Sequence, residues 1–277
     1  STGVPFLPGM SVNVTGATLF CDWEDDQNEF GGVVDGLLKP RGMTRNDLKH
    51  PIIYRSFAGP FTSHIESIQT DVAKNDIILV CVDSLVGSSS TDINDAESAR
   101  TFYQAVATLG ISSLGITHLP KGGDGKSPIG SVMWRERSRN LFLVEKDQSD
   151  GAPSSLIALS HVKGNRTGGL MKPFGFDARF VTNEQGKATS IEYSPGDLSV
   201  SAILSHRLPP IDLIMPLLRI RQSNIPDLAK EIPELSIKDI QTALDSAVRQ
   251  GKVTKSKTGL YSVDSYIDTS NSFSYPP

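Results

Sequence analysis

The sequence predicts an α/β fold: a mostly parallel sheet flanked by helices, followed by a small C-terminal domain of three helices and a β wing. Three observations predict it. Strand-length apolar runs alternate with stretches of helical periodicity through the first half of the chain, the alternation that builds βαβ units. One run, Ile77-Ile78-Leu79-Val80-Cys81-Val82-Asp83, is apolar up to its terminal acid and reads as a central parallel strand buried on both faces. Toward the C-terminus the pattern changes to three short helical stretches and a hairpin.

Ser1 to Gly16 is rich in glycine, proline and small residues and reads as a loop. Ala17 to Trp23 is the first strand, with the acidic cluster Asp22-Trp23-Glu24-Asp25-Asp26 at its carboxyl end. A helix is expected from near Asp26 or Asn28 to just before Lys39-Pro40-Arg41-Gly42, where proline and glycine stop it. Pro51 to Phe57 is a second strand. Ile65, Ile68 and Val72 recur at helical spacing between Ser63 and Lys74, and Asn75-Asp76 closes that helix before the central strand. Gly87 to Thr91 reads as a flexible loop and Asn94 to Leu109 as a helix with Ala99, Phe102, Ala105, Val106 and Leu109 on one face. Ile111 to Thr117 is a strand ending in His118. The glycine-rich stretch Lys121 to Gly130 is a mobile loop. Arg139 to Glu145 and Ser155 to Val162 form a strand pair across the polar turn Gln148 to Pro153.

The expected domains are a core over 1–185, a Ser-, Pro- and Gly-rich linker over 186–210, a small domain over 211–265 and a tail over 266–277. In the small domain, Asp212–Arg221, Ile225–Ile232 and Ile237–Gln250 are helical, with Asn224 or Pro226 starting the second and Ser236 capping the third opposite Asp239. Two short strands at Gly251–Lys255 and Gly259–Val263 complete the winged helix-turn-helix order. Residues 207–264 hold nine Lys or Arg against seven Asp or Glu, a weak excess for a DNA reader. Lys252, Lys255 and Lys257 cluster in the wing, where phosphate contacts would be made. A protein-docking role fits the same pattern.

Net charge is −4, which argues against a surface coated in basic residues but leaves room for a local patch. No run approaches the roughly 18 apolar residues of a membrane span, and no signal peptide opens the sequence; a cytoplasmic location is expected. The two cysteines, Cys21 and Cys81, sit in separate apolar runs and read as buried free thiols of a reducing compartment. No Cys-x-x-Cys or clustered histidines suggest zinc.

A carboxylate at the carboxyl end of a central parallel strand lies where open α/β sheets place ligands. There Asp83 can hold Mg²⁺, directly or through water, against nucleotide phosphates. The best basic patch is Arg135, Arg137 and Arg139 beside Lys121 and Lys126. An extended backbone would align the three arginines on one side, and a helix would spread them.

Glu24 past the first strand, Asp83 at the end of the most apolar strand, Thr117-His118 at the end of the next, and Lys163-Gly164-Asn165-Arg166-Thr167-Gly168-Gly169 after the hairpin occur in a diagnostic order. With Val82-Asp83-Ser84-Leu85 and Gly130-Ser131-x-x-Trp134, this order over roughly residues 1–180 resembles a RecA-like ATPase core. It is most similar to the hexameric replicative helicase branch, especially plasmid RepA-type ATPases. The resemblance implies ATP and Mg²⁺ as cofactors, with Asp83 and Ser84 at the nucleotide and Asp83 on the metal. It implies Glu24 as activator of the attacking water, His118 as γ-phosphate sensor, and Lys163 and Arg166 as fingers into a neighbouring subunit of a homo-oligomeric, hexameric ring. Single-stranded DNA would meet Lys121, Lys126, Arg135, Arg137 and Arg139.

The family's P-loop, Gly-x-x-x-x-Gly-Lys-Ser/Thr, has no match. Gly125-Lys126-Ser127 has Pro120 where the first glycine belongs. The resemblance therefore implies a chain that begins downstream of its phosphate-binding strand, or a degenerate relative that does not hydrolyse ATP; the retained Glu24, Asp83 and Arg166 favour the former. The alternative is a non-catalytic DNA-binding or regulatory module using the winged helix. A small-molecule enzyme on a doubly wound sheet ranks last, lacking a glycine fingerprint or nucleophile elbow.

Overall fold

The computed structural model describes residues 2, 11–120, 128–148, 152–165, 169–186 and 188–263. Strands β1 (Ala17–Asp22), β2 (Ile52–Ser56), β3 (Ile77–Asp83) and β4 (Ser112–Ile116) form a sheet of order β2-β1-β3-β4. Every neighbouring pair is parallel, as the alternating pattern predicts. The register sets Asp22 beside Asp83, and Asp83 beside Ile116. The acids of both inner strands thus share one end of the sheet.

Helices connect the strands where periodicity and capping residues place them. Helix α1 (Gln27–Leu38) starts at Asp26, whose carboxylate accepts from the backbone N–H groups of Asn28 and Glu29 at 2.7 and 3.0 Å. That bond satisfies donors the helix start leaves orphaned. The chain leaves α1 through a short turn at Lys39–Arg41 and Gly42, whose φ of 64° suits a residue without Cβ. Helix α2 (Ile65–Lys74) and α3 (Ala96–Thr108) follow, the latter capped by Asp95, and α4 (Val132–Arg137) by Ser131.

Leu19, Cys21, Val80 and Val82 pack with Ile68 of α2, Ala99 and Phe102 of α3 and Trp134 of α4 in one core. On the opposite face Phe20 meets Phe30 of α1 at 4.5 Å between ring centroids, and Phe30 meets Tyr54 at 4.8 Å. Burial of β3 on both faces is corrected at one end. Ile78 is 38 % exposed, and β4 is exposed along its length, with Leu114 at 50 %. The aromatic cover from α1 reaches β1 and β2, and Ser112, Ser113 and Gly115 give β4 little apolar surface to bury.

The expected strand pair is present and longer, as β5 (Asn140–Asp147) and β6 (Ser154–Gly164). It continues into β7 (Phe174–Thr182) and β8 (Ala188–Gly196), giving a second four-stranded sheet in sequence order. The stretch expected as a linker over 186–210 therefore holds a strand, and it also buries Leu198 and Leu204 against Ala158. Ser201 donates to Asp147 at 2.5 Å, and Arg207 forms a two-pronged ion pair with Glu145. Ser201 also accepts from the backbone N–H groups of Ile203 at 3.2 Å and Leu204 at 3.0 Å, which anchors the turn there.

The chain divides into two compact units. One comprises Ser1–Leu143, His161–Leu170 and Ala178–Ser194, and the other Val144–Ser160, Met171–Asp177 and Pro195–Pro277. The second holds α5 (Pro210–Ile220), α6 (Ile225–Glu231), α7 (Ile237–Arg249), β9 (Thr254–Lys255) and β10 (Tyr261–Ser262). β9 and β10 pair antiparallel, and Ser223 bridges to Tyr261. Asn224 caps α6 through Asp227 N at 2.8 Å. Ser236 caps α7 through Asp239 N at 3.1 Å and donates back to the Asp239 carboxylate at 2.6 Å. Ile214, Leu228, Ile240 and Leu244 are wholly buried among these helices. The expected tail over 266–277 lies outside the described residues.

Truncating Leu244 to alanine removes a wholly buried side chain from this small core. The expected loss is about 2–5 kcal/mol of stability, read as a lower urea midpoint for the helical signal of that unit.

Candidate active site

Asp22, the last residue of β1, is 3 % exposed, so its carboxylate must find donors within the protein. Oδ1 accepts from the backbone N–H groups of Glu24 at 2.8 Å and Asp25 at 3.0 Å. These bonds turn the chain sharply at the strand end, as a short acidic side chain does when it binds the backbone two and three residues on. Oδ2 lies 3.2 Å from the Tyr54 hydroxyl, which is also 2.9 Å from the Asp25 carbonyl, and the phenol proton serves both acceptors. Burial, and then the charge of Asp22, push the Tyr54 phenol up to about 12, so it remains a donor at any physiological pH.

The turn presents Glu24, exposed, toward the end of β3. Ser84 donates its hydroxyl to Glu24 Oε1 and accepts from Gly87 N at 3.2 Å. Trp23 N donates to the Asp83 carbonyl at 2.6 Å, and its indole N–H to the Gly59 carbonyl at 2.7 Å. Gly87 admits no side chain, because a Cβ there would lie 2.7 Å from Trp23 Cβ. The Asp83–Ser84 peptide is cis. The segment after it, expected as a flexible loop, is a packed turn: Ser88 N donates to the Ser84 carbonyl at 3.0 Å and Phe61 N to the Ser88 carbonyl at 2.9 Å.

Asp83 is half-buried, and its carboxyl is held above the usual carboxylate range by that burial, then by the charges of Asp22, Glu24 and Asp25; His118 opposes them. His118 is exposed just past β4, and its carbonyl accepts from Ile129 N at 2.9 Å. The neighbouring Thr117 hydroxyl is buried without a partner among the described residues. Glu24, Asp83, Ser84 and His118 thus lie at the carboxyl ends of the adjacent strands β1, β3 and β4, and Asp22 and Tyr54 support them.

No three His, Cys, Asp or Glu side chains among the described residues form a metal-holding group by themselves. The oxygen donors of Asp83 and its neighbours suit a hard ion such as Mg²⁺, which is ordinarily held by one or two carboxylates together with water and phosphate oxygens. The negative charge that Asp22, Glu24 and Asp25 add around Asp83 is what such an ion would neutralise.

Lys163, expected as a finger into a neighbouring subunit, is engaged within its own chain. Its Nζ donates to the carbonyls of Arg135, Glu136 and Ser138, each at 2.7 Å, engaging all three N–H donors at the end of α4. Positive charge there complements the helix terminus. The extended alternative for the basic patch is also corrected. Arg135 and Arg137 are helical in α4, Arg135 half-buried and Arg137 exposed, and Arg139 is exposed ahead of β5. Trp134 is a packed aromatic, its indole bonded to the Ile93 carbonyl at 3.0 Å. Lys252, Lys255 and Lys257 are exposed around β9, with Lys255 Nζ 5.1 Å from the centroid of the Tyr261 ring. Arg166, Lys121 and Lys126 lie outside the described residues. Both cysteines are free and buried, Cys21 pushed up to about 12 and Cys81 to about 11, chiefly by burial.

Asp22 is marked in the sequence as a strand-end acid within an acidic run, and Tyr54 is unmarked. The Asp-x-Glu-Asp spacing at a strand end is the signal for the former; the latter has none, because its role depends on strand pairing. Among known proteins, no family model and no curated sequence matches this chain. No described helix is long and apolar enough to cross a membrane.

Two outcomes follow from this geometry. Lys163→Met leaves three carbonyls without their cation and should cost about 1.5–3 kcal/mol in denaturant unfolding. Asp83, with a native pKa above its unfolded value, favours folding while protonated, and that contribution is lost as pH rises through the native pKa. Asp83→Asn should therefore raise the melting temperature at pH 7, with the gain shrinking as the pH falls into the carboxylate range.

Proposed function

We propose that this chain carries the catalytic core of a RecA-like, ring-forming ATPase that acts as a helicase-like motor on single-stranded DNA in replication or recombination. The observation that carries the reading is the convergence of Glu24, Asp83 and His118 at the carboxyl ends of three adjacent parallel strands. Open α/β sheets bind ligands at that edge. The order of these residues along the chain supports the same reading.

Asp83 would hold Mg²⁺, and the ion when bound with ATP supplies charge neutralisation at the phosphates. Glu24 Oε1 accepts from Ser84, which leaves Oε2 to orient a water and take its proton. His118, exposed just past the neighbouring strand β4, would be the polar group that senses the γ-phosphate. Arg166 is the remaining candidate finger, since the Lys163 donors are engaged. Arg137 and Arg139 offer exposed cations for a phosphate backbone, and the α5–α7 unit with its β9–β10 pair is read as a winged helix that presents Lys252, Lys255 and Lys257.

A second reading has its own support: the sequence has no P-loop and Lys163 is tied down, which favours a non-catalytic DNA-binding or regulatory module. Phosphate release from ATP by the full reading frame that encodes this chain separates the two. The motor reading expects hydrolysis that rises with single-stranded DNA and falls at least about 100-fold in Glu24→Gln. Hydrolysis unaffected by Glu24→Gln, or absent alongside DNA binding that survives removal of residues 1–180, contradicts it.

A further inference from the structure

We propose that Ser84 is a positioning residue that aims Glu24, rather than a contact to the nucleotide. The inference rests on the ATPase reading above and concerns how its water-activating acid is held.

A glutamate on an exposed turn has three side-chain torsions to fix, and a carboxylate that wanders by an ångström is a poor base. Glu24 stands on such a turn. The Asp22 bonds fix the backbone of this turn but leave the Glu24 side chain free. What constrains that side chain is Ser84, whose only hydroxyl proton goes to Oε1. Ser84 is 1 % exposed, so its hydroxyl has no solvent alternative.

The serine is itself held from several sides. Its oxygen accepts from Gly87 N at 3.2 Å, its carbonyl from Ser88 N at 3.0 Å, and the next residue, Leu85, donates its N–H to the Ile116 carbonyl at 2.8 Å. Gly87 is in turn closed against Trp23, the residue between Asp22 and Glu24. The bond therefore joins the end of β1 to the end of β3. Because Ser84 follows Asp83 directly, the two functional carboxylates are set at a fixed spacing. The expectation that Ser84 meets the cofactor gives way to this geometry: its proton is already engaged, and a bound phosphate oxygen would have to compete with an adjacent carboxylate for it.

A residue that acts only through another has no effect once that other is disabled. The test measures ATP turnover by the full reading frame in four forms: wild type, Ser84→Ala, Glu24→Gln and the double variant. Ser84→Ala should lower kcat about 10- to 100-fold with KM for ATP within about twofold. In the Glu24→Gln background it should change kcat by less than about twofold. Should Ser84→Ala fail to fold, Ser84→Cys, a weaker donor of similar shape, makes the same comparison. An unchanged kcat in the single variant, or an equal fold-loss in both backgrounds, overturns the positioning role while leaving the ATPase reading intact. Full activity in Glu24→Gln overturns both.

Discussion

The Asp22 carboxylate organises this site. A carboxylate withdrawn from water must be met by donors, and the parallel register supplies them from one direction only. Two backbone N–H groups come from the turn that follows β1, and a phenol comes from β2 next door. Meeting that requirement forces the chain to fold back at once after the strand, and this brings Glu24 into reach of the residue after Asp83. Tyr54 serves because burial and the neighbouring charge keep its proton in place. Were Asp22 replaced by a side chain that accepts no hydrogen bond, the N–H groups of Glu24 and Asp25 would lose their acceptor, and the turn would rest on the bonds of Trp23 to the Asp83 and Gly59 carbonyls.

The cost of this arrangement is repulsion. Four acids, Asp22, Glu24, Asp25 and Asp83, gather at one end of a sheet whose interior is apolar. Burial, and then the charges of the other three, hold the Asp83 carboxyl above its usual range against the opposing His118. Such a cluster lowers stability unless a cation or a reaction uses it, which is the usual sign of a site kept for function. The rest of the first unit is built to withstand it: Leu19, Ile68 and Val80 are wholly buried beneath the site, and the Trp23–Phe57 rings, 5.2 Å apart, brace its rim.

Much of the parallel sheet was legible because each strand carries its own signal. The run Ile77–Asp83 is apolar up to its terminal acid, Ala17–Asp22 is so apart from Thr18, and the helices are marked by their periodicity. The small helical unit was legible in the same way, and through Asn224 and Ser236 as caps. What stayed hidden depends on partners far along the chain. β8 alternates polar and apolar residues weakly, and its pairing, not its composition, makes it a strand, whereas β7 does carry a strand alternation in Phe174, Phe176, Ala178 and Phe180. Lys163 reads as a mobile cation in a Lys-Gly-Asn-Arg stretch, but three carbonyls some 25 to 28 residues earlier in the chain claim it. The order of candidate residues along the chain carries Glu24, Asp83 and His118; only the fold shows Ser84 standing between two of them.

On the proposed reading, the carboxylates at the ends of β1 and β3 form one cation-dependent nucleotide site. Paramagnetic broadening of backbone amide resonances by Mn²⁺ in the presence of ATP tests it most directly. The account predicts that Asp22–Asp25, Asp83, Ser84 and His118 broaden first, and that Asp83→Asn abolishes the preference while exposed acids elsewhere, such as Asp35 and Asp92, remain unaffected. Broadening spread evenly over the surface acids, or a preference for the strand ends that survives Asp83→Asn, would contradict it.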